Sequence, residues 1–464
     1  MKKTFRFYIA LYISKLVRMG IKILHKNASN FPGKLALKIC PDFLGRIDKP
    51  KTIIAVTGTN GKTTVCNMIE DVLRDNNYNF LDNKLGSNTN SGIASSLIKG
   101  ASLTGKAKYD LAVFEIDERS APRIYPYMEP TYLVCTNLFR DSIMRNAHTD
   151  FIANILDKNI PKNTKLVLNG DDLIVSNLAK DNERVYFGID RLDTDTDTCE
   201  NIVRDIIVCP KCDSKLEYDF VRYHHIGRAH CPMCDFKSPE INYKVVNVDL
   251  KEMNMTLKIN NDTKETYDLI SNNIINIYNM LAVISVLKEL GLSFNQINDT
   301  LSQEKIVETR FSKENVNGVE VITHLAKGLN PIACSRAIDY ARREEGNKAV
   351  ILILDDLHIA KEGSENITWQ YETDYELLND DSIKQVLVAG PRYLDSKVRL
   401  LIAGIPEEKI VAQRDEFSFV DNLKLEGIDK VFILHDLYSL EETAKIKDKV
   451  KKMIIEYTKK EDAE

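Results

Sequence analysis

Near the start of the chain the apolar positions Phe5, Ile9, Tyr12, Leu16, Met19 and Ile23 recur at steps of three and four, while Lys15, Arg18 and Lys22 recur on another face. That spacing predicts an amphipathic helix. A β-rich run, Thr52-Ile53-Ile54-Ala55-Val56, then ends in a glycine-containing octet and passes into a helical pattern from Cys66 to Leu73. Further apolar runs at Leu111–Ile116, Tyr132–Thr136, Lys165–Leu168 and Arg184–Phe187, with helical stretches between them, predict the buried strands of a parallel α/β sheet. The pattern is interrupted at about 200–242. Beyond it, Lys244–Ile259 reads as paired strands, and Ile274–Leu290 as a helix with Ile277, Leu281, Ile284 and Leu287 on one face, closing the central domain. From near residue 318, runs at Val350–Leu354, Val386–Ala389 and Val431–Leu434 alternate with helical segments and predict a second, smaller α/β domain. The expected organisation is a basic segment over 1–48, a central domain over 49–310 carrying the insertion, and a C-terminal domain over 318–455.

The 464 residues, 44% hydrophobic and 28% charged, suit two or three globular domains and exclude disordered or collagenous classes. A net charge of −5 gives no reason to expect a nucleic-acid partner, but its distribution is uneven: residues 1–41 hold nine Lys or Arg and no acidic residue. The longest uncharged run there, Phe7 to Ser14, is far short of the ~20 residues of a membrane span. No signal-peptide pattern follows, so a cytoplasmic location is expected. The basic helix either packs on its own domain or meets anionic lipid at the inner membrane face.

Nine cysteines do not make a disulfide framework in a chain this long. Four of them form two C-P-x-C knuckles, Cys209/Cys212 and Cys231/Cys234, which can present four thiolates tetrahedrally to one zinc ion. Four thiolates leave no open coordination position, so such a zinc is structural. His324, His358 and His435 have no Cys or His at ligand spacing and read as ordinary core or surface histidines.

The octet Thr57-Gly58-Thr59-Asn60-Gly61-Lys62-Thr63-Thr64 is built as a phosphate cradle: its glycines let backbone N–H groups approach phosphate oxygens, and a helix N-terminus follows. Lys62 would reach the outer phosphates, and Thr63 would place its hydroxyl on magnesium. Val56 stands where the strict P-loop pattern has its first glycine. The octet resembles the nucleotide loop of the Mur ligases, ATP-dependent enzymes that join amino acids to peptidoglycan precursors through an acyl phosphate. Gly86-Ser87-Asn88 with Gly92, the segments Val113–Glu118, Thr136–Asp141 and Leu168–Asp172, the four cysteines, the segment Asn276–Asn279, and Leu325-Ala326-Lys327 with Asn330-Pro331 narrow the resemblance to the MurT family. They occur in that family's order and span most of the chain.

The resemblance implies a Mur ligase-like α/β fold with a parallel-sheet P-loop central domain, an inserted four-cysteine zinc ribbon and a smaller C-terminal α/β domain. It implies ATP and magnesium as cofactors beside zinc, and ATP-dependent amidation of the D-glutamate α-carboxyl of lipid II. The ammonia would come from a GatD-like glutamine amidotransferase partner. By the same likeness, residues 58–64 and Asn276 bind ATP, with Asn276, Tyr278 and Asn279 near its base, and Glu115 helps hold magnesium. Independently, Glu115 and Asn137 lie at predicted strand ends, where an α/β sheet places ligand-facing residues. The plainer readings are a solvated carboxylate among Asp117 and Glu118, a polar turn at Asn137 and Arg140-Asp141, and a helix cap at Asn276.

Three stretches depart from the family. Its C-terminal loop A-D-G-x-D-x-S-W carries an Asp that orients the catalytic histidine of the partner. Here the loop runs Ala360-Lys361-Glu362-Gly363-Ser364-Glu365-Asn366-Ile367-Thr368-Trp369, with one residue extra, so Asn366 or Glu365 takes that place. Residues 141–148 replace the usual D-Q-x-D-R-x-G-E, and Asn330-Pro331 is shifted by an insertion. A divergent paralogue, non-catalytic or differently specific, is the alternative expectation.

Overall fold

The computed structural model describes residues 1–24, 29–84, 87–140, 148–303, 311–354, 367–436 and 439–461. Contacts divide the chain into two units. Met1–Phe139, His148–Glu200 and Arg204–Glu304 form the first; Arg140–Ala147, Asn201–Val203 and Lys305–Glu464 form the second.

The first unit opens with helices α1 (Phe5–Ile23), α2 (Phe31–Ile39) and α3 (Phe43–Arg46). It continues through β1 (Thr52–Thr57), α4 (Lys62–Asp75), β2 (Phe80–Asp82), α5 (Asn90–Lys99), β3 (Leu111–Glu115), α6 (Ala121–Ile124), β4 (Tyr132–Cys135) and α7 (Thr149–Asn159). Then come β5 (Lys165–Asn169), β6 (Arg184–Ile189), β7 (Glu217–Tyr223), β8 (Ile226–His230), β9 (Tyr243–Asp249), β10 (Asn254–Ile259), β11 (Thr263–Asp268), α8 (Ile274–Glu289) and α9 (Phe294–Leu301).

Nine strands pair in the order β11-β10-β9-β6-β5-β4-β1-β3-β2. From β2 to β9 the neighbours are parallel, and β10 runs antiparallel to both β9 and β11, so the expected all-parallel sheet is mixed at this edge. The reason is local: β9, β10 and β11 are joined by turns too short for a helical crossover, and short turns make antiparallel pairs. Along the central strands Ile53, Ala55, Ala112, Phe114 and Leu133 share one core cluster with α1, α2, α3, α5 and α7. The alternate residues, such as Ile54, Val56 and Val113, face the side that α4 and α8 cross. Residues 1–48 are thus part of this unit. Helix α8 is buried on every side from Ile277 to Leu287 and does not close the unit, because α9 follows, opened by a Ser293/Gln296 capping box. The hairpin β7–β8 forms its own small sheet within the insertion, beside a cluster that includes Cys209, Leu216 and Cys231.

The second unit contains β12 (Phe311–Val316), β13 (Val319–Leu325), α10 (Pro331–Arg343), β14 (Lys348–Ile353), α11 (Thr368–Glu372), β15 (Ile383–Ala389), α12 (Tyr393–Ile402), β16 (Ile410–Gln413), β17 (Lys430–His435) and α13 (Leu440–Glu461). The sheet order is β12-β13-β17-β14-β15-β16, parallel apart from the β12–β13 hairpin. That hairpin starts the unit at or before Phe311, ahead of the expected residue 318. Its first strand, Phe-Ser-Lys-Glu-Asn-Val, is a polar edge strand without a buried-strand signature. Separate clusters form on the two sheet faces, one with α10, α11 and α12 and one with α13.

Candidate active site

The order of the first sheet turns at β1, with β3 on one side and β4 on the other, and ligands bind an α/β sheet at the carboxyl ends of strands beside such a switch point. The octet leaves β1 here. Gly58 and Gly61 adopt positive φ, +127° and +89°. Side chains are excluded at both: a Cβ at Gly58 would collide with Thr136 and Asn137, and one at Gly61 with the amide of Asn279. Asn137 splints the loop, its Oδ1 accepting from Asn60 N at 3.0 Å and its Nδ2 donating to Asn60 O at 3.1 Å. Thr136 Oγ1 donates to the same carbonyl at 2.6 Å. Thr59 Oγ1 donates to Phe139 O at 3.1 Å and accepts from Phe139 N at 2.9 Å. Thr136 and Asn137 are therefore struts of the loop, which a free polar turn would not be.

Lys62 opens α4, with Thr63 and Thr64 in its first turn. Lys62 Nζ pairs with Glu118 Oε1 at 2.9 Å and also donates to Gly58 O. Gly58 N donates to that same carboxylate oxygen at 2.7 Å. Burial works against the ammonium charge, but Glu118, Glu115 and Asp117 outweigh it and hold Lys62 above the ordinary lysine range. Thr63 Oγ1 donates to Glu115 Oε2 at 2.8 Å. Asn88 Nδ2 donates to Glu115 Oε1 at 3.0 Å, and the Asn83 amide brackets the Glu115 backbone at 2.9 and 2.7 Å. Glu115 is thereby aimed at Thr63, and the two oxygens suit a hard, oxygen-loving cation such as magnesium. Glu115, whose plainer reading is a solvated carboxylate, is half-buried among these partners, and its neighbour Glu118 is buried against Lys62. Neither Glu118 nor Asn83 was legible as a partner, since an acidic residue three positions after Glu115 looks the same in sequence whether buried or solvated.

On α8 the cap is Asn273, whose side chain accepts from Ile275 N at 2.9 Å, so the capping reading of Asn276 is corrected. Asn276 sits half-buried in the first turn, and the structure places Asn279 rather than Asn276 against the loop. Tyr278 points elsewhere: its hydroxyl donates to Asp171 Oδ2 at 2.7 Å and accepts from Arg222. Arg222 also pairs with Asp195 at 2.7 Å and Asp171 at 3.2 Å. Burial opposes its charge, and Tyr278, Asp171 and Asp195 more than compensate, so the guanidinium is held firmly protonated. Arg222 lies on β7, so this buried knot ties the insertion to the helix that bears Asn279. Phe139 adds a second tie, its ring 4.6 Å from that of His225 and 6.1 Å from that of Tyr223.

The four knuckle cysteines converge, with all sulfurs within 4.8 Å of one another, Cys209–Cys234 at 3.6 Å and Cys212–Cys231 at 3.4 Å. A disulfide needs about 2.05 Å. A zinc tetrahedron with Zn–S of ~2.3 Å has edges of about 3.8 Å, so the donors fit that ion. Lys211 N and Met233 N each donate to a knuckle sulfur at 3.4 Å, which supports thiolate charge. Asn366, Glu365, His358 and Asp141 lie outside the described residues. Arg140 belongs to the second unit and pairs with Glu372 at 2.8 Å.

Residues 56–205 match the Mur ligase middle domain, and residues 325–440 match the MurT ligase C-terminal family. The chain is 32% identical over 419 residues to the lipid II isoglutaminyl synthase (glutamine-hydrolyzing) subunit MurT of Staphylococcus aureus, covering 89% of this chain and 91% of that one. It is 30% identical over 413 residues to the protein of the same name from Streptococcus pneumoniae, covering 88% and 90%. Among solved structures it resembles a pseudomurein peptide ligase type C from Methanothermus fervidus, with TM-score 0.65, 21% identity and 88% and 81% coverage. MurF from Acinetobacter baumannii gives TM-score 0.61, 14% identity and 89% and 80% coverage. Both carry the Mur ligase fold seen here, and with relatives this similar over nearly its whole length, the chain belongs to the MurT family of Mur ligase-like proteins.

Proposed function

We propose that this chain is an ATP-dependent carbon–nitrogen ligase that amidates the D-glutamate α-carboxyl of lipid II to D-isoglutamine. Ammonia would come from a GatD-like glutamine amidotransferase subunit, and the site of action would be the inner face of the cell membrane, where the chain is peripheral. The observation that carries this reading is the set formed by the splinted loop, Lys62 on Glu118, and Thr63 on Glu115, in a chain related along its length to proteins named as MurT subunits.

The chemistry fits those groups. A carboxylate is a poor acyl donor. Once phosphorylated by ATP it carries phosphate as a leaving group, and ammonia attacks the carbonyl carbon as phosphate departs. Such transfer asks for positioning and charge compensation, and no covalent nucleophile is required. Residues 58–64 would line the phosphates with backbone N–H groups, and Lys62 would add its charge. Thr63 and Glu115 would hold magnesium, which supplies charge neutralisation on the phosphate oxygens. Asn276 remains a candidate for the nucleotide's base end, and the four-cysteine cluster is assigned a structural zinc.

Coupling to the partner is proposed to run through the 360–369 loop. A carboxylate that orients an imidazole also stabilises the imidazolium, and a neutral Asn366 lacks that second capacity. The test of the ligase reading is ADP release that depends on both lipid II and ammonium and falls steeply in Lys62→Ala. ATP binding without such turnover would favour a non-catalytic scaffold.

A further inference from the structure

Helix α1 is seated by one face only. Phe7, Ala10, Leu11 and Ser14 are buried, and the Phe7 ring stacks on Phe43 with centroids 5.1 Å apart. Lys15 Nζ donates to the carbonyls of Ile98 at 2.9 Å and Ala101 at 2.6 Å, so this cation is spent on holding the helix to its unit. The opposite face turns outward. At 3.6 residues per turn, Phe5, Ile9, Tyr12, Leu16, Met19 and Ile23 fall in one arc of about 80°, and the sequence places no charge within it. Phe5, Leu16 and Ile23 are 82%, 63% and 69% exposed. The helix packs on its own domain through Phe7 and Leu11, while the stripe that the sequence singles out is the face left outside, and a contiguous apolar patch of this kind marks an interaction surface.

Its surroundings say what would cover it. Residues 1–41 contain nine basic side chains and no acidic one, and Lys2 just ahead of α1, Arg6 and Lys22 on it, and Lys34 and Lys38 on the neighbouring α2 are exposed. A second copy would set these cations against each other. An anionic bilayer would take both features at once, its acyl chains receiving the stripe and its headgroup phosphates the lysines. Among the described residues no helix is long and apolar enough to cross a membrane, which leaves lying in the interface.

We propose that α1 docks in the plane of an anionic membrane surface through Phe5, Leu16, Met19 and Ile23, with the flanking Lys and Arg on lipid phosphates. This stands on the helix alone and does not require the ligase reading, and the test reads binding without turnover, so each can fail separately. The full chain is sedimented with phosphatidylglycerol vesicles and with phosphatidylcholine vesicles. Retention on the first, weaker on the second and reduced by salt, is expected. Leu16→Glu lowers partitioning roughly tenfold or more, since one large apolar side chain is no longer buried. Its melting temperature should not change, because Leu16 is exposed in the fold. Equal retention on both vesicles, absence of binding, or undiminished binding of Leu16→Glu overturns the proposal. So does a dimer in sedimentation that Leu16→Glu dissociates while vesicles are ignored.

Discussion

The hydroxyl of Thr63 donates to Glu115 Oε2 at 2.8 Å, joining the first turn of the helix after the loop to the end of the neighbouring strand. The two side chains come from segments fifty-two positions apart, and sheet register makes the junction: β1 and β3 run parallel with Val56 opposite Glu115. Replacing the hydroxyl by a methyl in Thr63→Val removes the oxygen proposed to reach magnesium while keeping shape. The expected result is a higher magnesium requirement for ADP release. An unchanged magnesium titration would remove Thr63 from the metal site.

Lys62→Ala is expected to lower turnover by roughly 10²–10³, the usual cost of deleting one preorganised charge-stabilising donor. Because Lys62 also neutralises buried Glu118, the single variant destabilises as well. Lys62→Ala combined with Glu118→Gln should recover melting temperature without recovering turnover. Calorimetry and an ADP-release assay on the two variants separate the two effects.

Asn137 holds the loop from beneath through Asn60. Asn137→Ala leaves a polar loop contact unmade, worth about 1–3 kcal/mol. It is expected to raise the ATP KM more than it lowers kcat. The reverse split would argue that Asn137 acts on the reacting groups.

Removal of Arg222 strands two carboxylates inside the fold. Arg222→Leu should cost about 3–5 kcal/mol, as for a buried pair broken at one partner, and should also weaken nucleotide binding through Tyr278 and the neighbouring Asn279. Metal analysis should find one zinc per chain in the wild type and none in Cys231→Ser. Zinc-free protein with unchanged melting would contradict the ribbon assignment.

His324 sits edge-on between Phe311 and Tyr340, with centroids 5.6 and 5.4 Å away. Burial, with the nearby His435, pushes its pKa down to about 4. An unfolded histidine protonates near 6.5, so the unfolded state binds the proton first and stability falls as pH drops from about 6.5 towards 4. His324→Phe should flatten the dependence of melting temperature on pH across that window.

What could be read from the sequence follows from where each signal lives. The nucleotide loop and the zinc knuckles are contiguous and combine glycine, lysine and cysteine in patterns with few other uses, so both stood out. Buried strands of the parallel sheets did too, because both of their faces are covered. The polar edge strand at Phe311–Val316 carried no such run. Glu118 and Asn83 act through partners distant in sequence, and only the fold brings them to Lys62 and Glu115. In α1 two apolar arcs share one helical period, and periodicity cannot say which is inside; Phe7 and Leu11 won because Phe43 and the α5 segment lie on that side. Along residues 360–366 the sequence alone speaks, and Asn366→Asp is expected to raise glutamine-dependent activity if that position serves the partner.

The most direct measurement is mass spectrometry of lipid II after incubation with this protein, ATP and magnesium, once with ammonium chloride and once with glutamine and the cognate amidotransferase. Conversion of the acid to the amide is expected with ammonium, with weaker conversion from glutamine if Asn366 limits coupling. Lipid II unchanged in both reactions, with the protein folded and ATP bound, would contradict the ligase assignment.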